Sequence, residues 1–203
     1  MNPQAGRHPN ALLPVLPLPD VSLFPEASLS LAALRPAAAQ AVAIARRTGR
    51  RLLALALKQD SDSPSQGNLF EVGTVAHVTA TDATEERTGH VELDGLSRAR
   101  LITLVGRDSL VAEVETIEEG DPGDEWGNAV EALARYMHGH VELRRFLEQQ
   151  RRSDEPMAWV NLACQHLPIT ASARQKLLEA DAPARCFKIG RGLDALLKKE
   201  RAT

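Results

Sequence analysis

Hydrophobic and polar positions change period once along the chain. Up to about residue 117 the apolar residues alternate with polar ones or form short runs; beyond residue 124 they recur every three or four positions. Period two marks strands and a period near 3.6 marks helices, so the pattern predicts a strand-rich half followed by a helical half. The most informative stretch is 70–104. Val72, Val75 and Val78 are spread along a Val- and Thr-rich run, and Val91 and Leu93 alternate with His90 and Glu92. Asp94-Gly95, a turn or bulge signal, follows, and then Leu101, Thr103 and Val105 alternate again. This reads as a β-meander with an exposed hairpin tip near 82–89. A last strand at 110–117, carrying Val111, Val114 and Ile117, closes it.

Before the meander, LLPVLPL at 12–18 is apolar but interrupted by Pro14 and Pro17, which cannot donate to a ladder; an edge or opening strand is expected. A turn at 20–25 leads to a strand at 27–34, where Leu29 and Leu31 alternate with Ser28 and Ser30. Pro36 opens an alanine-rich helix that stops at Gly49 with Arg46 and Arg47 in its last turn. LLALAL at 52–57 is a continuous apolar run of strand length, and 59–68 is a polar loop.

The acidic, Pro- and Gly-containing stretch EEGDPGD at 118–124 reads as a linker. Beyond it, Trp126, Val130, Leu133 and Met137 share one helix face, with a break expected at Gly139 before Val141, Leu143, Phe146 and Leu147. Asp154 and Pro156 can open the next helix, which carries Val160, Cys164 and Leu167. Thr170 can cap another with Leu177 and Leu178, and 183–201 forms the last, with Cys186, Ile189, Leu193, Leu196 and Leu197 inward. The expected organisation is a disordered leader at 1–10, a β subdomain at 11–120 and a helical bundle at 121–203.

Composition narrows the function more than it defines it. The 203 residues are 43% hydrophobic and 25% charged, as in an ordinary globular protein, but only 3% aromatic. The net charge of −3 predicts no strong pull toward nucleic acid or an anionic membrane. Two cysteines, Cys164 and Cys186, are too few for a disulfide framework and read as buried, reduced thiols. Neither a signal peptide nor an apolar run of membrane length is visible, so the cytoplasm is the expected compartment.

Candidate chemistry is sparse. No pair of glycines has phosphate-loop spacing followed by lysine, and Gly190-Arg191-Gly192 lies within a helix pattern. Gly95-Leu96-Ser97-Arg98-Ala99 is one residue from a nucleophile-elbow motif, but it lacks the strand-to-helix context that exposes the serine. His138 and His140, like Cys164 and His166, stand two apart on helices and diverge, so no metal site is expected. No cofactor and no enzymatic activity are expected.

Four strings, in order, resemble one family. LPVLPLPDVSLFP ending at Pro25, FEVGTVAHV from Phe70, ELDGLSRARL from Glu92 and HLPITASARQKLLEAD from His166 resemble the Lon protease N-terminal domain. The resemblance implies an α+β fold: a PUA-like β pseudobarrel carrying one helix, followed by a C-terminal helical bundle. It implies a polypeptide-binding module for unfolded or damaged chains, here as a freestanding domain without the ATPase or protease parts. The expected partners are unfolded or partly folded polypeptides, with an ATP-dependent protease or a second copy as docking partners. The expected contact residues are Leu23, Phe24 and Pro25 at the turn, with Leu29 and Leu31 beyond it. RNA binding is the alternative by fold analogy alone, against the charge and the scarcity of aromatics.

Overall fold

The computed structural model describes residues 11–82, 89–105 and 110–201. The expected leader and most of the expected hairpin tip lie outside them. The described chain is α+β and forms two compact units, one from residues 11–23 and 28–118, the other from Phe24–Ala27 and 119–201.

The first unit contains β1 (Ala11–Leu18), β2 (Ser28–Leu31), α1 (Pro36–Arg47), β3 (Arg51–Ala56), β4 (Val72–Thr81), β5 (Val91–Val105) and β6 (Val111–Ile117). The strand order is β2-β5-β4-β3-β1-β6, and β6 also pairs with β5. Five strands therefore close a hydrogen-bonded ring, while among the described residues β2 has β5 as its single neighbour. β1 and β3 are parallel; the other pairs are antiparallel.

β1 is not the edge strand that its prolines suggest. Its first half pairs with β6 and its second half with β3. Val15 donates its N–H to the Leu110 carbonyl at 2.7 Å, so odd-numbered nitrogens point toward β6 and even-numbered ones toward β3. Pro14 thus faces the β3 side before that pairing begins, and Pro17 faces the β6 side after that pairing has ended. Each missing donor falls where no ladder bond is needed.

Asp94-Gly95 is likewise not a turn between two strands. β5 runs through it for 15 residues. Gly95 pairs with Ala76 and Ser97 with Val75, so Leu96 is an extra residue that bulges outward; Ile102 does the same against β6. Bulges bend and twist a strand, and here they let one strand serve both β4 and β6.

The continuous apolar run of β3 follows from having both faces covered. Leu53 and Leu55 join Val15, Val75, Leu101 and Val114 in the ring's interior. On the opposite face α1 lies against β1 and β3, burying Ala38, Ala39, Ala41, Val42 and Ala45. Gly73 marks the tightest approach: a Cβ there would land on the Ala54 carbonyl oxygen and 2.6 Å from Leu55 Cδ2.

The second unit contains α2 (Glu125–Gly139), α3 (Val141–Gln150), α4 (Pro156–His166), α5 (Ala171–Glu179) and α6 (Ala182–Arg201). The helix breaks at His140 (φ −126°, ψ 66°), one residue from the expected glycine. The inward face of α2 differs from the expected one: Ala129, Ala132, Leu133 and Tyr136 are buried, whereas Trp126 is exposed and donates its indole N–H to the Pro156 carbonyl. The reason is close helix packing. A Cβ on Gly190 of α6 would already touch Ala129 Cα at 3.7 Å, so alanine rather than a larger residue stands at 129, while Leu133 and Tyr136 fill the rest of the face. On α3 only Leu147 is buried, and Val141 and Phe146 face solvent. Glu155, not Asp154, is the N-cap residue of α4, and Asp154 pairs with Arg151 at 2.6 Å. Thr170 caps α5 as expected, accepting from the Ala173 N–H at 3.2 Å.

Arg185, on α6, is completely buried. Its guanidinium donates to Glu119 and Asn161 side chains at 2.6 Å each and to the Leu177 and Ala180 carbonyls at 2.9 Å. The Phe24 ring lies beneath it at 5.9 Å, and the Phe24 N–H donates to Gln165 Oε1 at 3.0 Å. Residues 24–27, distant in sequence, are thus part of the helical interior.

Candidate functional site

The first unit carries an apolar groove of about 110 Å³ beside the sheet-edge strand β2 and the start of α1. Pro17 of β1 and Pro19 just after it, Leu31 to Leu34, Ala37 and Ala38 of α1, and Leu57 line it. The two prolines leave fewer N–H groups to satisfy, and alanines at the start of α1 contribute only methyl groups. Ala33 has φ +53° and Asp20 φ +54°. Left-handed backbone is uncommon for residues with a Cβ; Ala33 lines the groove and Asp20 follows the lining residue Pro19.

The polar rim is built by Arg35. It occupies the N-cap position of α1 without capping it, where a cation meets the positive end of the helix dipole. Its guanidinium instead forks onto Asp60, at 2.5 and 2.9 Å, with Asp62 at 3.3 Å. The hydrogen bond from Arg35 holds the Asp60 carboxyl below its usual range, and Asp60 in turn raises the guanidinium. The pair is exposed, so salt screens it. Apart from Arg35, Ser61 and Asp62 the lining is aliphatic, a surface suited to burying apolar side chains.

The five expected contact residues are not brought together. Leu23 is buried in the first unit, its carbonyl accepting from Thr74 Oγ1 at 2.5 Å. Phe24 and Pro25 are buried and belong to the second unit. These three are interior residues in this conformation, because the turn that carries them is threaded inward rather than left on the surface. Leu29 and Leu31 are half-buried on β2, and Leu31 lines the groove.

Elsewhere the titratable groups are placed for packing. Burial pushes the Cys164 thiol up to about 12 and the Cys186 thiol up to about 11. Burial, with Arg174 nearby, lowers His166. Ser97 lies within β5, paired with Val75. Among the described residues no cluster of His, Cys, Asp and Glu could hold a metal ion, and no helix is long and apolar enough to cross a membrane.

The sequence profile of the ATP-dependent protease La (LON) substrate-binding domain matches residues 12–189. The chain belongs to the Lon substrate-binding domain family. It is 30% identical over 192 residues to a Lon protease of Xanthomonas oryzae, covering 87% of this chain and 22% of that protease. It is 27% identical over 187 residues to the Lon protease of Escherichia coli, covering 88% and 24%. The chain thus spans less than a quarter of these proteases. Among solved structures, the N-terminal domain of a Mycobacterium avium complex Lon protease superposes with a TM-score of 0.73 at 19% identity, covering 91% of this chain and 98% of that one. A Lon N-terminal domain protein from Xanthomonas campestris gives 0.60 at 23%, covering 88% and 95%.

Of the residues lining the groove of this Lon-family domain, the sequence singled out only Leu31 as a contact residue. Ala32, Ala33 and Arg35 carry no signal of their own. The one available hint was an arginine standing where a helix normally begins with a capping side chain.

Proposed function

We propose that the chain is a non-catalytic recognition module that binds unfolded or partly folded polypeptide in the groove beside β2. The observation that carries this is an aliphatic groove next to a strand that, among the described residues, has a single hydrogen-bonded neighbour, in a Lon substrate-binding domain. A client segment can place side chains against Leu31, Leu34 and Leu57 while its backbone lies along β2, the usual logic of strand addition to a sheet edge. Burying ~200 Å² of apolar surface contributes ~5 kcal/mol, most of which association and ordering costs offset. Binding is therefore weak and broad, as suits clients that share only exposed apolar residues. Leu29 and Leu31 remain contact residues; Leu23, Phe24 and Pro25 support the fold.

The same reading takes the ring of strands as the PUA-like pseudobarrel and the helices as the bundle of the Lon N-terminal region, and makes an ATP-dependent protease a natural docking partner. The family assignment does not favour the RNA-binding alternative. The test is a fluorescence-anisotropy titration with labelled, reduced and carboxymethylated α-lactalbumin. Saturable binding is expected, weakened about fivefold or more by Leu31→Asp, the loss of roughly one buried contact. Leu12→Ser, exposed on β1 outside the groove, leaves it unchanged. Absence of saturable binding, or equal loss in both variants, refutes the reading.

A further inference from the structure

The helical unit has a second groove, of about 240 Å³, between α5 and α6. Leu167, Ile169, Leu177, Ile189 and Leu193 line it. Two lysines, Lys176 and Lys188, stand among the lining residues and are exposed. Neither makes a hydrogen bond or ion pair to the described residues, whereas Arg135, Arg144, Arg145 and Arg151 of the same unit all do. Two unpaired cations thus stand beside an aliphatic trough.

Gly192 provides an independent observation. It lies inside the 20-residue α6, where glycine is a poorer helix former than alanine. A Cβ on Gly190 would sit in ordinary contact with Ala129, but a Cβ on Gly192 would meet nothing within 4 Å. Packing within the chain therefore does not require a glycine there. Gly192 lines the groove, where its bare backbone leaves room for an occupant to come close.

We propose that this groove is a docking site for an acidic amphipathic polypeptide segment, whose apolar side chains fill the trough over Gly192 and whose carboxylates pair with Lys176 and Lys188. A segment with leucines at helical spacing and glutamates beside them fits both features. A recessed trough suits such side chains better than it suits the face of a lipid bilayer.

The full-length chain is titrated against a fluorescent peptide of that pattern, its counterpart with lysine in place of each glutamate, and phosphatidylserine vesicles. The acidic peptide is expected to bind and the basic one not. Gly192→Leu fills the trough with a better helix former, so it should raise the melting temperature while weakening the acidic peptide about tenfold or more. Should that variant fail to fold, the surface double variant Lys176→Glu/Lys188→Glu decides: it should lose the acidic peptide and gain the basic one. Equal binding of both peptides, unchanged affinity in a folded Gly192→Leu, or lysine-dependent binding of vesicles without the peptide overturns the proposal. So does a self-association that Gly192→Leu abolishes while no peptide binds.

Discussion

At the scale of single residues, Arg185 and His166 make opposite demands on the helical unit. Arg185 has no access to water and holds Glu119, Asn161 and two carbonyls together. Removing one side of a buried, hydrogen-bonded charge network leaves the other members desolvated and unpaired, a loss of ~3–5 kcal/mol. Arg185→Ala is expected to abolish cooperative unfolding of the helices in urea. Arg185→Lys should rescue little, since an ammonium cannot reproduce the planar fork. His166 acts through protons. Its folded-state value lies below the ordinary 6.5 because burial and Arg174 disfavour the cation. The unfolded chain therefore binds the proton more readily, and stability falls as pH drops below about 6.5 toward the depressed value, then levels off. Urea midpoints measured between pH 7.5 and 5.5 should fall in the wild type and fall less in His166→Gln.

At the scale of elements, the strands are held by backbone proximity as much as by side chains. Gly73→Ala would push a methyl group into the Ala54 carbonyl and Leu55, so β3 and β4 must separate. The expected loss is at least ~2 kcal/mol, within the range for overpacking a core, read as a lower thermal midpoint. The identity of most elements was legible beforehand. Pro36 and Gly49 bracket α1, LLALAL forms β3 and Thr170 caps α5, because these signals are local. What was illegible depends on neighbours. Asp94-Gly95 signals either a turn or a bulge, and only the partners β4 and β6 decide for the bulge. Pro14 and Pro17 signal an edge unless the strand changes partner midway. The stripe through Trp126, Val130 and Met137 is a reasonable helix face until Gly190 brings α6 onto Ala129. The groove was least legible, since Ala33, Arg35 and Leu57 converge only after the ring has closed.

At the scale of the whole molecule, the helical unit takes Phe24–Ala27 from a part of the sequence that otherwise builds the first unit. A single cut near residue 121 would separate these four residues from the helices that bury them. Phe24→Ala in the full chain, a core truncation worth ~3–5 kcal/mol, should loosen that unit. Cys164 and Cys186 report on it directly, because both are buried there and burial keeps them as thiols. Their native-state labelling by a thiol reagent should accelerate roughly a hundredfold in Phe24→Ala, as openings become more frequent. Unchanged labelling would show that Phe24 contributes nothing to the helical interior.

The bond from Phe24 to Gln165 spans 141 positions. Synthesis at roughly 5–20 residues per second puts about 7–28 s between the appearance of the two residues at the ribosome. A nascent chain that has finished its strands therefore carries an uncovered phenylalanine until α4, the third helix of the second unit, has emerged. While it waits, the newborn chain displays the very kind of greasy residue by which quality-control factors identify an unfinished protein.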